Sequence, residues 1–220
     1  MVQFKFVSKV IKREAILSNI NLKIEEGEFL YLTGPSDSGK STLLKLIYGI
    51  FPPTSGQLIV MGKNMSRISS EGLCEIRRRI GLIMPEFGFL EDETVEENLS
   101  ILLVNQGVPR KERKIRINHI LNLVELTPKR NCPVSSLSTS QRQQVRLARA
   151  LISNPVLILA DEPTCGLDEK KEKLILEILV QENQQGKTIL LASSLPEDIA
   201  INIARSRTLY LENGRIVEKR

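Results

Sequence analysis

The chain has no tryptophan, one histidine and three cysteines in 220 residues. With His119 alone, a metal site built from several histidines is excluded. Cys74, Cys132 and Cys165 are far apart and odd in number, which excludes a disulfide framework and the CxxC pairs of zinc modules. No apolar run reaches the roughly 18 residues that span a bilayer, and the opening Met1-Val2-Gln3-Phe4-Lys5 lacks a signal-peptide core. A cytoplasmic protein is expected, with membrane contact made only through a partner. Low-complexity segments and internal repeats are also missing. What remains is ordinary for a globular protein: 41% hydrophobic and 26% charged residues, enough for one domain or one with an inserted lobe. The net charge of +5 permits an anionic partner without implying one. The basic stretch Arg110–Arg116 reads as the solvated face of a helix.

Hydrophobic spacing divides the chain. Phe4–Val7 and Ile16–Ile24 alternate as strands, and Glu28–Thr33 is an apolar run ending in a glycine loop, as a buried strand does. Thr42–Tyr48 has helical spacing. A strand at Gln57–Met61, a helix at Ser70–Ile80 and a strand at Gly81–Met84 follow. Residues 86 to 150 read as helical throughout: Val95–Asn105 capped by Thr94, Arg110–Glu125, and Ser138–Ser153. Alternation then returns, with strands at Val156–Ala160 and Thr188–Ala192 around a helix at Lys170–Gln184. Pro196 is placed to open a short helix. Asn213-Gly214 is a two-residue hairpin turn. The expected architecture is an α/β nucleotide-binding core, about 1–85 and 150–220, with a helical lobe at about 86–149.

Gly34-Pro35-Ser36-Asp37-Ser38-Gly39-Lys40-Ser41 matches GxxxxGK[ST] between a predicted strand and a predicted helix, the context this motif requires. Backbone N–H groups converging from such a loop and a helix N-terminus suit a polyphosphate. Lys40 would reach the β- and γ-phosphates, and the Ser41 hydroxyl would bind Mg²⁺, with Thr42 next in the helix. Val156–Ala160 then ends in two acids: Asp161 to hold Mg²⁺ and Glu162 to polarise the attacking water.

These segments, with Ala160–Asp168 and the helix Leu137–Ala150, resemble the ATP-binding subunit of ABC transporters across essentially the whole chain. Val7-Ser8-Lys9, Ser41–Ile47, Ile76–Gly81 and Thr94–Asn98 look most like the cell-division ATPase FtsE, with the LolD and MacB export ATPases close behind. The resemblance implies a P-loop NTPase (RecA-like) core with an antiparallel β subdomain and an inserted α-helical subdomain. It implies ATP and Mg²⁺, a homodimer closing on ATP, and coupling to an FtsX-like or permease-like membrane subunit at the cytoplasmic face. A nucleic-acid partner is not expected.

Four positions depart from the family pattern. The adenine-stacking aromatic falls at Ile11, the core–lobe glutamine at Pro85, the switch histidine at Ser194, and the two signature glycines at Thr139 and Ser140, beside the retained Ser138. Weak hydrolysis is therefore expected from Glu162, Lys40 and Ser194, the alternative being a pseudo-ATPase that regulates its partner by binding ATP. Glu86-Phe87-Gly88-Phe89-Leu90, followed by Glu91-Asp92-Glu93, reads either as a cap on the lobe's own core or as a groove for the membrane subunit. In the second reading its acids would meet basic residues of the partner.

Overall fold

A computed structural model describes residues 1–194 and 207–217. The helix expected from Pro196 lies outside the described residues. The chain opens with two long antiparallel strands, β1 (Val2–Ile11) and β2 (Glu14–Ile24). With β4 (Ser55–Val60) and the short β5 (Lys63–Asn64) they form one sheet in the order β2-β1-β4-β5. The second sheet carries the site. It contains β3 (Phe29–Thr33), β6 (Ile80–Ile83), β7 (Leu157–Asp161), β8 (Thr188–Ser193), β9 (Arg207–Glu212) and β10 (Arg215–Val217). Its order is β10-β9-β3-β8-β7-β6, parallel from β9 to β6, with β10 antiparallel to β9. Asn213 and Gly214, with φ of 47° and 71°, make the expected hairpin turn between those two.

The parallel strands read as continuous apolar runs because both of their faces are buried. Leu157 and Leu159 of β7, with Leu190 and Ala192 of β8, join a core with α1 (Lys40–Tyr48) and the β1–β2 sheet. Ile158, Ala160, Ile189 and Leu191 point the other way, into a core shared with the remaining helices. Those helices are α3 (Val95–Asn105), α4 (Arg110–Leu123), α5 (Thr139–Leu151) and α6 (Glu169–Gln184). α2 (Ser70–Arg78) precedes β6 and packs through Ile76 into the first core.

Two expectations change. Residues 86 to 150 are not helical throughout: an irregular connection occupies 85–94, and 3₁₀ turns at Thr127–Lys129 and Val134–Ser136 lead into α5. Nor does Phe4-Lys5-Phe6-Val7 alternate cleanly. A bulge between Phe4 and Val7 puts Phe6 at φ 51° and leaves it 67% exposed, while Phe4 and Val7 stay buried. An extra residue in one strand reverses the faces beyond it, and binary pattern cannot announce this.

Candidate functional site

β3 delivers the chain into the loop at Gly34, and α1 takes it up at Lys40. Two glycines are required by the packing. A Cβ on Gly34, at φ 148°, would lie 2.0 Å from the Leu211 carbonyl oxygen. One on Gly39, at φ 105°, would lie 2.8 Å from the Leu17 side chain. Pro35, Ser36 and Asp37 form the exposed lip, with Asp37 at φ 61°, while Ser38 is buried and its hydroxyl has no protein partner. α1 starts without a capping side chain and without an acid in its first turn, whereas α2, α3, α5 and α6 are each capped by a side chain. Its free N–H groups and positive dipole end are open to an anion.

Lys40 is 5% exposed, and its Nζ donates to the carbonyl oxygens of Gly34 and Pro35, both at 2.8 Å. Burial holds its pKa below the ordinary lysine value, against the opposing pull of Glu162, Asp161 and Asp37. Asp161, 6% exposed at the end of β7, is pushed the other way. Burial raises its pKa, the Ser41 hydroxyl bonded to it lowers it, and neighbouring Glu162 raises it again. Asp161 Oδ1 is buried with no hydrogen-bond partner. An orphaned carboxylate oxygen beside a hydroxyl fits Mg²⁺, which binds through one or two side-chain oxygens and completes its shell with water and phosphate. Thr42 is half-buried one residue further along α1.

Glu162 stands at φ 46°, with its N–H donating to the Ala192 carbonyl at 2.9 Å. Its carboxylate accepts from two hydroxyls at the end of β8: Ser194 Oγ on Oε1 at 2.7 Å and Ser193 Oγ on Oε2 at 3.1 Å. So Ser194 is joined to the candidate base, and Ser193, which sequence reasoning passed over, shares the task. A neighbouring contact was also missed. Gln143 of α5 donates to the Pro163 carbonyl at 2.6 Å, tying the lobe helix to the acidic loop.

Lys40, Ser41, Asp161, Glu162 and Ser194 thus converge on the ends of β3, β7 and β8. Ser138 and Ser140 stand apart, at the head of α5. Ser138 caps that helix reciprocally with Gln141, accepting from its N–H at 3.3 Å and donating its own N–H to Gln141 Oε1 at 3.1 Å. The Ser140 hydroxyl is buried without a partner. Ile11 is half-buried at the end of β1, beside the turn Lys12-Arg13.

A cavity of about 480 Å³ opens between α2, β6, α3 and α5. Leu82, Met84, Phe87 and Leu102 give it apolar walls, and it is edged by Arg77, Arg78, Arg146 and Arg149, with no carboxylate among the lining residues. Phe87 also meets Tyr48 edge-on at 5.6 Å, so it serves the core's own packing. Phe89 lies under Arg142, Arg146 and Arg149, 5.1 to 5.3 Å from its ring centre. Glu91 pairs with Arg142. Of the three acids of that segment, Glu91 is therefore held by Arg142 within the chain, while Asp92 and Glu93 are exposed at the surface.

Residues 17–165 match the family described as ABC transporter. The chain belongs to the ABC transporter family. Its described residues carry the ABC ATPase fold. The methionine import ATP-binding protein MetN of Latilactobacillus sakei subsp. sakei (strain 23K) is 40% identical over 224 residues, covering 100% of this chain and 64% of that protein. MetN of Geobacillus kaustophilus (strain HTA426) is 39% identical, covering 92% of this chain and 59% of that protein. The chain therefore spans about three fifths of the length of these relatives. The dimeric structure of a post-hydrolysis state of the ATP-binding cassette MJ0796 bound to ADP and Pi superposes with a TM-score of 0.88 at 35% identity, covering 99% of this chain and 97% of that one. A second dimeric MJ0796 structure, described as a bacterial ABC transporter cassette, gives 0.89 at 34%. Neither curated relative is a cell-division ATPase, so the expected closeness to FtsE finds no support in them.

Proposed function

We propose that this chain binds MgATP as the nucleotide-binding subunit of a membrane transport complex and hydrolyses it through Glu162. The observation that carries the reading is the convergence of Lys40, Ser41, Asp161 and Glu162 around an uncapped helix end. The loop N–H groups take the phosphates, and Lys40 exchanges its Gly34 and Pro35 carbonyls for phosphate oxygens. Ser41 and Asp161 would hold Mg²⁺, whose charge offsets that of the phosphates when bound. Glu162 accepts a proton as the water oxygen bonds to the γ-phosphorus and the bond to the ADP oxygen breaks. ADP and inorganic phosphate leave, and the proton is released to solvent.

The core is taken as about 1–85 and 150–220 and the lobe as about 86–149. Ser138, Thr139 and Ser140 would meet the nucleotide of a second copy, and the dimeric MJ0796 structures favour a homodimer. Among the described residues no helix is long and apolar enough to cross a membrane, so the reading assigns membrane contact to a partner at the cytoplasmic face. The MetN relatives favour a permease-like partner over an FtsX-like one. Its docking segment should carry a carboxylate among apolar residues, to meet the arginine-edged groove near Phe87.

The second reading, a regulatory ATP-binding subunit without turnover, is favoured by the head of α5, which Ser138 and Gln141 cap from within the chain. Calorimetry with MgATP and single-turnover hydrolysis separate the two. The first reading expects binding, and turnover that Glu162→Gln lowers by about 10²–10⁴-fold. Binding without turnover selects the second, and no binding defeats both.

A further inference from the structure

We propose that Ser193 and Ser194 act as a pair of positioning residues for the Glu162 carboxylate; the proposal rests on the reading of Glu162 as the base. Each carboxylate oxygen receives one hydroxyl, Oε1 from Ser194 at 2.7 Å and Oε2 from Ser193 at 3.1 Å. Two donors on two oxygens fix both the direction of the side chain and the plane of the carboxylate. A single donor would leave the group free to swing. A carboxylate oxygen has two acceptor directions, so one on each oxygen stays available for the proton of a water.

The donors stand on a rigid base. Ser193 is 3% exposed, at the end of a central strand, and pairs in register with Thr33, the residue before the phosphate loop. The acceptor is turned toward them by its own backbone, because φ 46° and the bond from Glu162 N–H to the Ala192 carbonyl take the residue out of the extended β7 path. A half-buried glutamate on a flexible stem would otherwise lose rotamer freedom at each turnover, and pre-orientation removes that cost from the reaction step. In this structure the Ser194 hydroxyl is bonded to the Glu162 carboxylate. The geometry has it hold the base, with Ser193 supplying the second contact.

The test uses the purified chain and four variants: Ser193→Ala, Ser194→Ala, the double alanine, and Ser193→Thr. Single-turnover rate and MgATP dissociation constant are measured for each, with Glu162→Gln as reference. The expected result is a rate at least about tenfold lower in the double alanine variant, with the dissociation constant within about twofold, because orientation is lost and binding is not. Ser193→Thr keeps its hydroxyl and should keep the rate within about threefold. An undiminished rate in the double alanine variant overturns the proposal, as does a parallel loss of affinity or a threonine variant as slow as Ser193→Ala. Binding without any turnover in the unaltered chain overturns it too. If thermal melting shows Ser193→Ala unfolded, the exposed Ser194→Ala carries the same split. A Glu162→Gln variant as fast as the unaltered chain refutes the base assignment itself, and that failure is read independently of the serines.

Discussion

Two helix ends in this molecule solve the same problem in opposite ways. At the head of α1, Gly39 offers no side chain, the first turn holds no acid, and the backbone N–H groups stay open. At the head of α5, Ser138 and Gln141 close a reciprocal capping box over theirs. Both ends have unsatisfied donors and a positive dipole. Only α1 is left to be completed from outside, and it sits beside a buried lysine and a buried carboxylate with an orphaned oxygen. The α5 end is capped from within the chain, with the Ser140 hydroxyl beside the cap left without a partner. A helix terminus becomes an anion site by what is left off it as much as by what is placed around it.

The largest effect that should sharpen this contrast is at Lys40. Lys40→Ala should weaken MgATP binding at least about tenfold by calorimetry, since a charge-assisted contact contributes about 1.5–3 kcal/mol. Unchanged affinity would mean that the open end of α1 is not the nucleotide site.

Asp161 gives a pH test. Its pKa is raised by burial, so in the nucleotide-free chain the native state holds the proton longer than the unfolded state does. Stability therefore falls as pH rises from the ordinary aspartate range, about 3.9, through the raised native value. Asp161→Asn should remove that fall and raise the melting temperature of the ligand-free chain at neutral pH, by about 2–4 °C if about 1 kcal/mol is relieved. It should also remove the gain in melting temperature that Mg²⁺ and ATP together produce in the unaltered chain. A lowered melting temperature in the ligand-free variant would show that the aspartate is stabilising where it stands.

The smallest effect on nucleotide is expected at the closed end. Ser138→Ala should cost about 1 kcal/mol of stability in a denaturant titration, the usual worth of a serine cap. ATP affinity of the monomer should change by less than about twofold, far under a lost charge-assisted bond. A tenfold loss there would erase the distinction between the two ends.

The local parts of the site were legible in the residues. Gly34–Ser41 between a strand and a helix, two acids after Val156–Ala160, the Thr94 cap and the Asn213-Gly214 turn depend on near neighbours in the chain, and each appears where the pattern put it. The bulge at Phe6 was hidden, because one extra residue changes register without changing composition. The Ser193 contact to Glu162 joins residues 31 apart, and the Gln143 contact to Pro163 joins residues 20 apart. Neither serine nor glutamine carries a local signal for such a role. The arginines around Phe89 are spaced along one face of α5, and their shared contact exists only because the connection at 85–94 folds against that face.

By itself, then, the sequence determined that this chain makes a phosphate loop, a strand ending in paired acids and a helical insertion. Those follow from backbone preference, periodicity and short-range chemistry. The tertiary structure alone decided that the end of β8 grips the base, that Glu91 is neutralised by Arg142, and that the groove at the lobe is edged with positive charge. These depend on which strands lie side by side and which side chains find each other across the fold, and the hydrophobic burial that sets those distances is not directional.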